Sequence, residues 1–438
     1  MLILKIDTMK KSLLFTIGLL LSTIYMQAQN IDAIINVQEV ERIEKTLSAD
    51  SMEGRRTFSN GIDKAAAFIA GEFANTGLKT LEPNTGYWQS FKMIKAKFVN
   101  ASAILDGTEM NSRNIIAITC KPELLVNEKS GYEINTIAKG ANFFGEARKY
   151  MGLSKNAIVL VDSSFSGSFG RLIQFKSAMV ESNHSVIFLL GAQVPASFTI
   201  TASHTIQEQK LANIVGVLPG KSLPKEYVIF SGHYDHLGIN SKNIINNDSI
   251  YNGANDDAAG TTAMMMLAKY YKALGNNERT LIFAAFTAEE VGGFGATYFS
   301  KQFNPDEVVA MFNIEMIGTE SKWGANSAYI TGFDKSNMGT MLQENLKGSE
   351  FNFYADPYPD QQLFYRSDNA TLARLGVPAH TISTSKMDDE PNYHKASDEI
   401  GTLDMKNMAK IIKAIAISAS GIVSGKQTPS RVDTKSLR

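Results

Sequence analysis

Eight residues of this chain combine types and spacing that could do chemistry: His233, Asp235, Asp256, Asp257, Glu289, Glu290, Glu315 and His394. Seven of them sit in short motifs: Ser231-Gly232-His233-Tyr234-Asp235-His236-Leu237-Gly238, then Gly253-Ala254-Asn255-Asp256-Asp257-Ala258-Ala259-Gly260, then the Glu289-Glu290 pair, and finally Tyr393-His394; Glu315 follows Met311-Phe312-Asn313-Ile314. Imidazole nitrogen and carboxylate oxygen are ligands that divalent ions take. The chain has only six histidines, so two in such settings are informative. The chemistry such a set could serve is hydrolysis of an amide. The carbonyl is a poor electrophile and neutral water a poor nucleophile, and two divalent ions about 3.5–4 Å apart lower the pKa of a bridging water and hold the oxyanion. One carboxylate must bridge the ions, with imidazole and further carboxylates around it. A separate carboxylate must take the proton from water and pass it to the leaving amine. Adjacent glutamates can divide that labour. Asp235, two residues after His233, is placed to orient the imidazole.

The elements that must position these groups can be read from periodicity. From Leu211 on, apolar runs at Ile214–Leu218, Tyr227–Ser231, Thr280–Phe286, Val308–Ile314 and Ala379–Ile382 predict strands. Asp257–Leu274 and Met405–Ile422 predict helices. The alternation predicts an α/β fold, a mixed and largely parallel sheet with helices on both faces. In such sheets functional groups gather at the carboxyl ends of strands, and His233, Glu289-Glu290 and Glu315 each follow an apolar strand. Singly, Glu289-Glu290 reads as a helix start and Asp256-Asp257 as an N-cap. Only the joint order sets those readings aside.

The preceding sequence divides in two. Val40, Ile43, Leu47 and Ala65, Phe68, Ile69, Phe73 recur at helical spacing, with Asp50–Arg56 as a polar loop between them. Residues 96–207 carry short β-like runs such as Ala157–Asp162 and Ser185–Leu190, and predict a small inserted α+β domain without a constellation of its own. The main domain is then discontinuous, 29–95 with 208–425, followed by a polar tail, 426–438, expected to be disordered.

Lys10-Lys11 before Leu13–Leu21, with Met26-Gln27-Ala28 beyond, predicts a signal peptide over 1–28, too short to span a bilayer, which takes about 20 apolar residues. A secreted or periplasmic protein with no stable membrane anchor after cleavage is the expectation. Net charge of −1 argues against nucleic acid as a partner. The single cysteine, Cys120, excludes an intrachain disulfide and a thiolate ligand set. Among the motifs sought, His-Glu-x-x-His and Gly-x-Ser-x-Gly do not occur, and Gly216-x-x-x-Gly220-Lys221-Ser222 is one residue short of a phosphate loop.

The set His233-x-Asp235, Gly-Ala-Asn-Asp256-Asp257, Glu289-Glu290, Asn313-Ile314-Glu315-Met316-Ile317-Gly318 and His394 resembles the co-catalytic zinc exopeptidases of clan MH. These include bacterial leucyl aminopeptidases, glutamate carboxypeptidases and, as relatives, glutaminyl cyclases. The resemblance implies a zinc exopeptidase-like fold with a protease-associated-type insertion. It implies two zinc ions, one on His233 and Glu315, the other on Glu290 and His394, bridged by Asp256. It also implies Glu289 as general base, with Asp235 in support, and a cis bond between Asp256 and Asp257. The family usually has aspartate where this chain has Glu315, and histidine where it has Asn369 after Ser367-Asp368. An aminopeptidase acting on peptides is the expectation. A carboxypeptidase, a one-zinc glutaminyl cyclase and a binding protein on an inactive scaffold are the alternatives.

Overall fold

A computed structural model describes residues 31–152, 155–242, 244 and 247–437; the signal peptide expected over 1–28 lies outside them. These residues form two compact units. One comprises the described residues up to Gln89 with those from Ala212 on, and the other is Ser90–Leu211. Among the described residues no helix is long and apolar enough to cross a membrane.

In the first unit, helix α1 (Val37–Leu47) buries Val40, Ile43, Glu44 and Leu47 on one face. It is capped by Asn36, whose side chain accepts the Glu39 amide at 2.9 Å. Helix α2 (Asn60–Thr76) ends at Gly77, which takes the left-handed conformation that terminates helices. The sheet uses β1 (Phe198–Leu218) through its residues 214–218, then β2 (Leu223–His233), β3 (Arg279–Phe286), β4 (Val308–Ile314), β5 (Ser327–Ile330), β6 (Asn352–Ala355) and β7 (Ala379–Ser383). Their spatial order is β6-β5-β7-β4-β2-β3-β1. The four central strands are parallel neighbours, while β1 and β5 join antiparallel.

The central strands read as unbroken apolar runs because both sheet faces are covered. Val228, Phe230, Leu281, Phe283 and Ala285 pack with α1, α2, α3 (Ala259–Leu274) and the C-terminal helix Met405–Ser418. Ile229, Ile282, Ala284 and Phe286 pack on the opposite side with Ala296, Phe299, Leu372 and Ala373.

The predicted helix at 257 starts at Ala259, and the one from Met405 stops at Ser418, with a short separate turn at Ser420–Val423. The polar tail is ordered, contrary to its composition. Val432 is buried and its amide donates to the Gly376 carbonyl at 3.0 Å. Arg431 donates to the Val308 carbonyl at 2.8 Å. The tail is anchored through backbone groups, which an apolar pattern does not reveal.

In the second unit, Ile115–Ile118, Val186–Leu190, Ala157–Val161 and Glu133–Ile137 form a four-stranded sheet in that order. Apolar clusters lie on both its faces.

Candidate metal centre

The strand order reverses about β2: the chain passes to β3 on one side and then to β4 on the other. Crevices at the carboxyl end of such a switch point are where open α/β sheets bind ligands, and β2 ends on His233. Helix α3 presses close to this strand end because glycines meet there. A Cβ on Gly232 would stand 2.7 Å from the Gly260 carbonyl carbon, and one on Gly260 would stand 2.1 Å from the Ile314 carbonyl oxygen. Asp257 ties the junction together. Its Oδ2 accepts the His233 amide at 3.1 Å, and its Oδ1 accepts the amides of Gly260 and Met316 at 3.1 and 3.0 Å. The Asp256–Asp257 peptide bond is cis, the isomer the resemblance implies.

Asp256 faces two donor groups, one with each oxygen. Oδ1 lies 3.2 Å from His233 Nε2. Oδ2 lies 3.2 Å from His394 Nε2, which is also 3.2 Å from Glu290 Oε2. Donor atoms of His233, Asp256 and Glu315 fall within 4.8 Å of one another, so the longer Glu315 side chain still reaches its group. Donors bonded to one tetrahedral ion at about 2.0–2.2 Å stand roughly 3.3–3.6 Å apart, close to the spacing found. His233 Nε2 is buried without a hydrogen bond, as suits a nitrogen that awaits a cation.

The electrostatics agree with that fit. Burial pushes Glu289, Glu315 and Asp368 above the ordinary carboxylate range, Asp368 to about 8, and neighbouring carboxylates add to it. Asp256 and Glu290 are held low despite burial, because imidazoles face them. Burial also opposes charge on His233 and His394, yet the surrounding carboxylates prevail and raise His394 to about 10. Carboxylates crowded away from water in this way call for cations among them.

The glutamate pair follows β3 on a tight turn with Ala288 at φ 59. The Asp235 carboxylate holds that turn, accepting the Glu289 amide at 3.0 Å, the Glu290 amide at 3.3 Å and the Thr57 hydroxyl at 3.1 Å. The imidazole of His233 is oriented by the Asp235 carbonyl oxygen, 3.1 Å from Nδ1, with the carboxylate farther off at 3.8 Å. Asp235 thus supports both His233 and the glutamate turn, through different atoms. Glu289 belongs to neither donor group and lines the cavity beside them.

The comparisons with known proteins follow this geometry. Residues 213–419 match the model of peptidase family M28. That stretch belongs to peptidase family M28. A probable zinc metalloprotease of Pyricularia oryzae is 29% identical over 130 residues, 29% of this chain and 25% of that protein. Aminopeptidase YwaD of Bacillus subtilis is 27% identical over 131 residues, 29% of this chain and 26% of that protein. The chain therefore matches about a quarter of the length of these curated relatives. In structure it is similar to an aminopeptidase from Aneurinibacillus sp. strain AM-1, with TM-score 0.51 and 18% identity over 92% of this chain and 97% of that one. A zinc aminopeptidase from Bacillus subtilis has TM-score 0.51 and 16% identity over 90% and 97%. These two establish the likeness of fold.

Around the M28 site stand residues whose roles the motifs do not show. His236, which the resemblance leaves outside the ligand set, comes within ligand range of Asp256 and Glu290: Nδ1 is 2.7 Å from Glu290 Oε1 and 3.9 Å from Asp256 Oδ2. Its uneven approach suits orienting Glu290, whereas His394 sits equally near both carboxylates. Asp398 accepts the amides of Asn255 and Asp256 at 2.9 and 3.0 Å and so fixes the backbone beneath Asp256. Its spacing of four from His394 was the only sequence signal.

Arg55 is a further departure: the expected polar loop exposes Asp50, Ser51 and Arg56, but the Arg55 side chain turns inward and is buried. Fully enclosed, its guanidinium donates to the carbonyls of Tyr234 at 2.9 Å, Leu47 at 2.7 Å, Gly253 at 2.8 Å and also Asn252. It thereby joins α1 to the loops bearing His233 and Asp256. Arg55→Met removes this donor from the Tyr234, Leu47 and Asn252 carbonyls, while Gly253 keeps the Ala258 amide at 3.2 Å, and each buried unsatisfied group costs about 1–3 kcal/mol. Urea unfolding of the metal-free variant is expected to show a loss on the order of 3 kcal/mol or more. A loss under about 1 kcal/mol would show that the loops hold without the clamp.

Proposed function

We propose that this chain is an exported zinc-dependent exopeptidase, an aminopeptidase that removes N-terminal residues from peptides. The observation that carries the reading is the division of Asp256, one oxygen toward His233 and the other toward His394 and Glu290. This suits two zinc ions, one held by His233, Asp256 and Glu315, the other by Asp256, Glu290 and His394. When bound, the ions supply Lewis acidity toward the scissile carbonyl and lower the pKa of water. Glu289 takes a proton from the attacking water and delivers it to the departing amine. Asp235 fixes the turn from which Glu289 acts, and Asp257 and Asp398 fix the backbone beneath Asp256. Export rests on the sequence pattern of residues 10–28, and the choice of peptide N-termini is supported by the aminopeptidases this chain is similar to.

The test is hydrolysis of peptides with free and with blocked N-termini by the mature protein, with bound zinc measured alongside. Cleavage of free N-termini only, with about two ions per chain, is the expected result. Cleavage of blocked peptides from their carboxyl ends would make the enzyme a carboxypeptidase. Cyclisation of N-terminal glutamine without hydrolysis would make it a cyclase.

A further inference from the structure

The cavity beside the donor groups, about 130 Å³, is also lined by Tyr329, Leu363, Met387 and Tyr393 and by one arginine, Arg366. Its anionic lining residues are Asp256, Glu289, Glu290 and Glu315, the groups already assigned to metal or base. Among the described residues no carboxylate pairs with Arg366. Its guanidinium makes one hydrogen bond, Nη1 to Gln361 Oε1 at 3.2 Å, and is otherwise left with the rest of its five N–H donors. Buried Arg279, by contrast, is bound to Glu226 at 2.7 Å and to the Ile422 and Gln427 carbonyls.

Arg366 is exposed, and the backbone that carries it is firmly set. Leu363 is buried on one side of it. On the other, Ser367 Oγ accepts from Asn313 Nδ2 at 2.7 Å, and Asn369 Nδ2 donates to the Phe364 carbonyl at 3.0 Å. The segment is thus pinned to β4, beside Glu315. Arg366 also lies close enough for its charge to act on the Tyr393 phenol, and Tyr393 stacks on the ligand His394 at 3.9 Å. A planar cation with spare donors, held at the mouth of a small cavity beside the metal ligands, matches a carboxylate bidentately.

Resting on the exopeptidase reading, we infer that Arg366 anchors a carboxylate of the substrate and makes this site selective for acidic substrates. That carboxylate is either the free C-terminus of a very short peptide or an acidic side chain, and both would meet the same guanidinium.

Two sets of measurements test this. The first is hydrolysis of Leu-Leu, Leu-Leu amide and Leu-Leu-Leu, and of the anilides of Glu and Leu, by the wild-type enzyme, Arg366→Gln and Arg366→Lys. The carboxylate-bearing substrate is expected to be preferred by about 10- to 100-fold in kcat/KM, the range of one hydrogen bond to a charged group. The preference should collapse toward unity in Arg366→Gln, through KM, and recover in part in Arg366→Lys. Preference for Leu-Leu over its amide and the tripeptide assigns the anchor to the C-terminus; preference for Glu over Leu anilide assigns it to a side chain. Equal effects of Arg366→Gln on acids and on neutral partners would overturn the proposal. The second set is calorimetric titration of Leu-Leu, Leu-Leu amide and Glu-Leu amide into zinc-loaded Glu289→Gln protein, with and without Arg366→Gln. Failure of hydrolysis counts only against the exopeptidase reading. Binding that is indifferent to every carboxylate, or unchanged by Arg366→Gln, counts only against the anchor.

Discussion

Glu289→Gln is expected to lower kcat by about 10²–10⁴-fold, the usual contribution of a positioned general base, while bound zinc stays unchanged. Glutamine has nearly the same shape, keeps its amide on the Asp235 carboxylate and lies outside both donor groups. What it loses is the ability to accept a proton and return it. The residue is half-buried and lines the cavity, where the other carboxylates belong to the donor groups. Steady-state kinetics with metal analysis on the same preparation checks this. Zinc lost in step with activity would make Glu289 a ligand instead of a base, and activity retained within tenfold would remove it from the chemistry altogether.

The second large effect is expected at Asp256. Asp256→Asn should weaken zinc at both positions, since its two oxygens face two different groups. The loss should exceed the 10–100-fold that follows removal of an outer partner of a ligand, and hydrolysis should fall below detection. His394→Ala makes the comparison informative, because it removes a donor from one side only. Zinc titration of the three proteins should find two sites in the wild type, one strong site in His394→Ala and none of comparable strength in Asp256→Asn. An Asp256→Asn protein that still holds one ion tightly would show that Asp256 serves a single metal and that the bridge is elsewhere.

The candidate donor set was legible before the fold because its chemistry demands particular atoms. Only imidazole and carboxylate would serve in a chain with one cysteine, and strand ends mark where such atoms must converge. The α/β alternation was legible for a related reason: strands buried on both faces, as at Leu281–Phe286, must be apolar at every position. Arg55 shows the limit. A charged residue beside a glycine reads as a solvated loop, and nothing local states that Tyr234, Leu47, Asn252 and Gly253 will turn carbonyls toward it from distant segments. The tail is a similar case: the Val432 amide and the Arg431 guanidinium bond carbonyls of distant segments and leave no apolar signature.

Sequence alone therefore determined the donor types, their order and the sheet that carries them, because burial and ligand chemistry act on residue identity. Tertiary structure alone decided which oxygen of Asp256 meets which histidine. It also decided that Asp235 supports the glutamate turn with its carboxylate and His233 with its carbonyl, and that Arg366 reaches the cavity without an acidic partner. Those outcomes depend on distances of a few ångströms between segments far apart in the chain, and no local pattern of residue types encodes them.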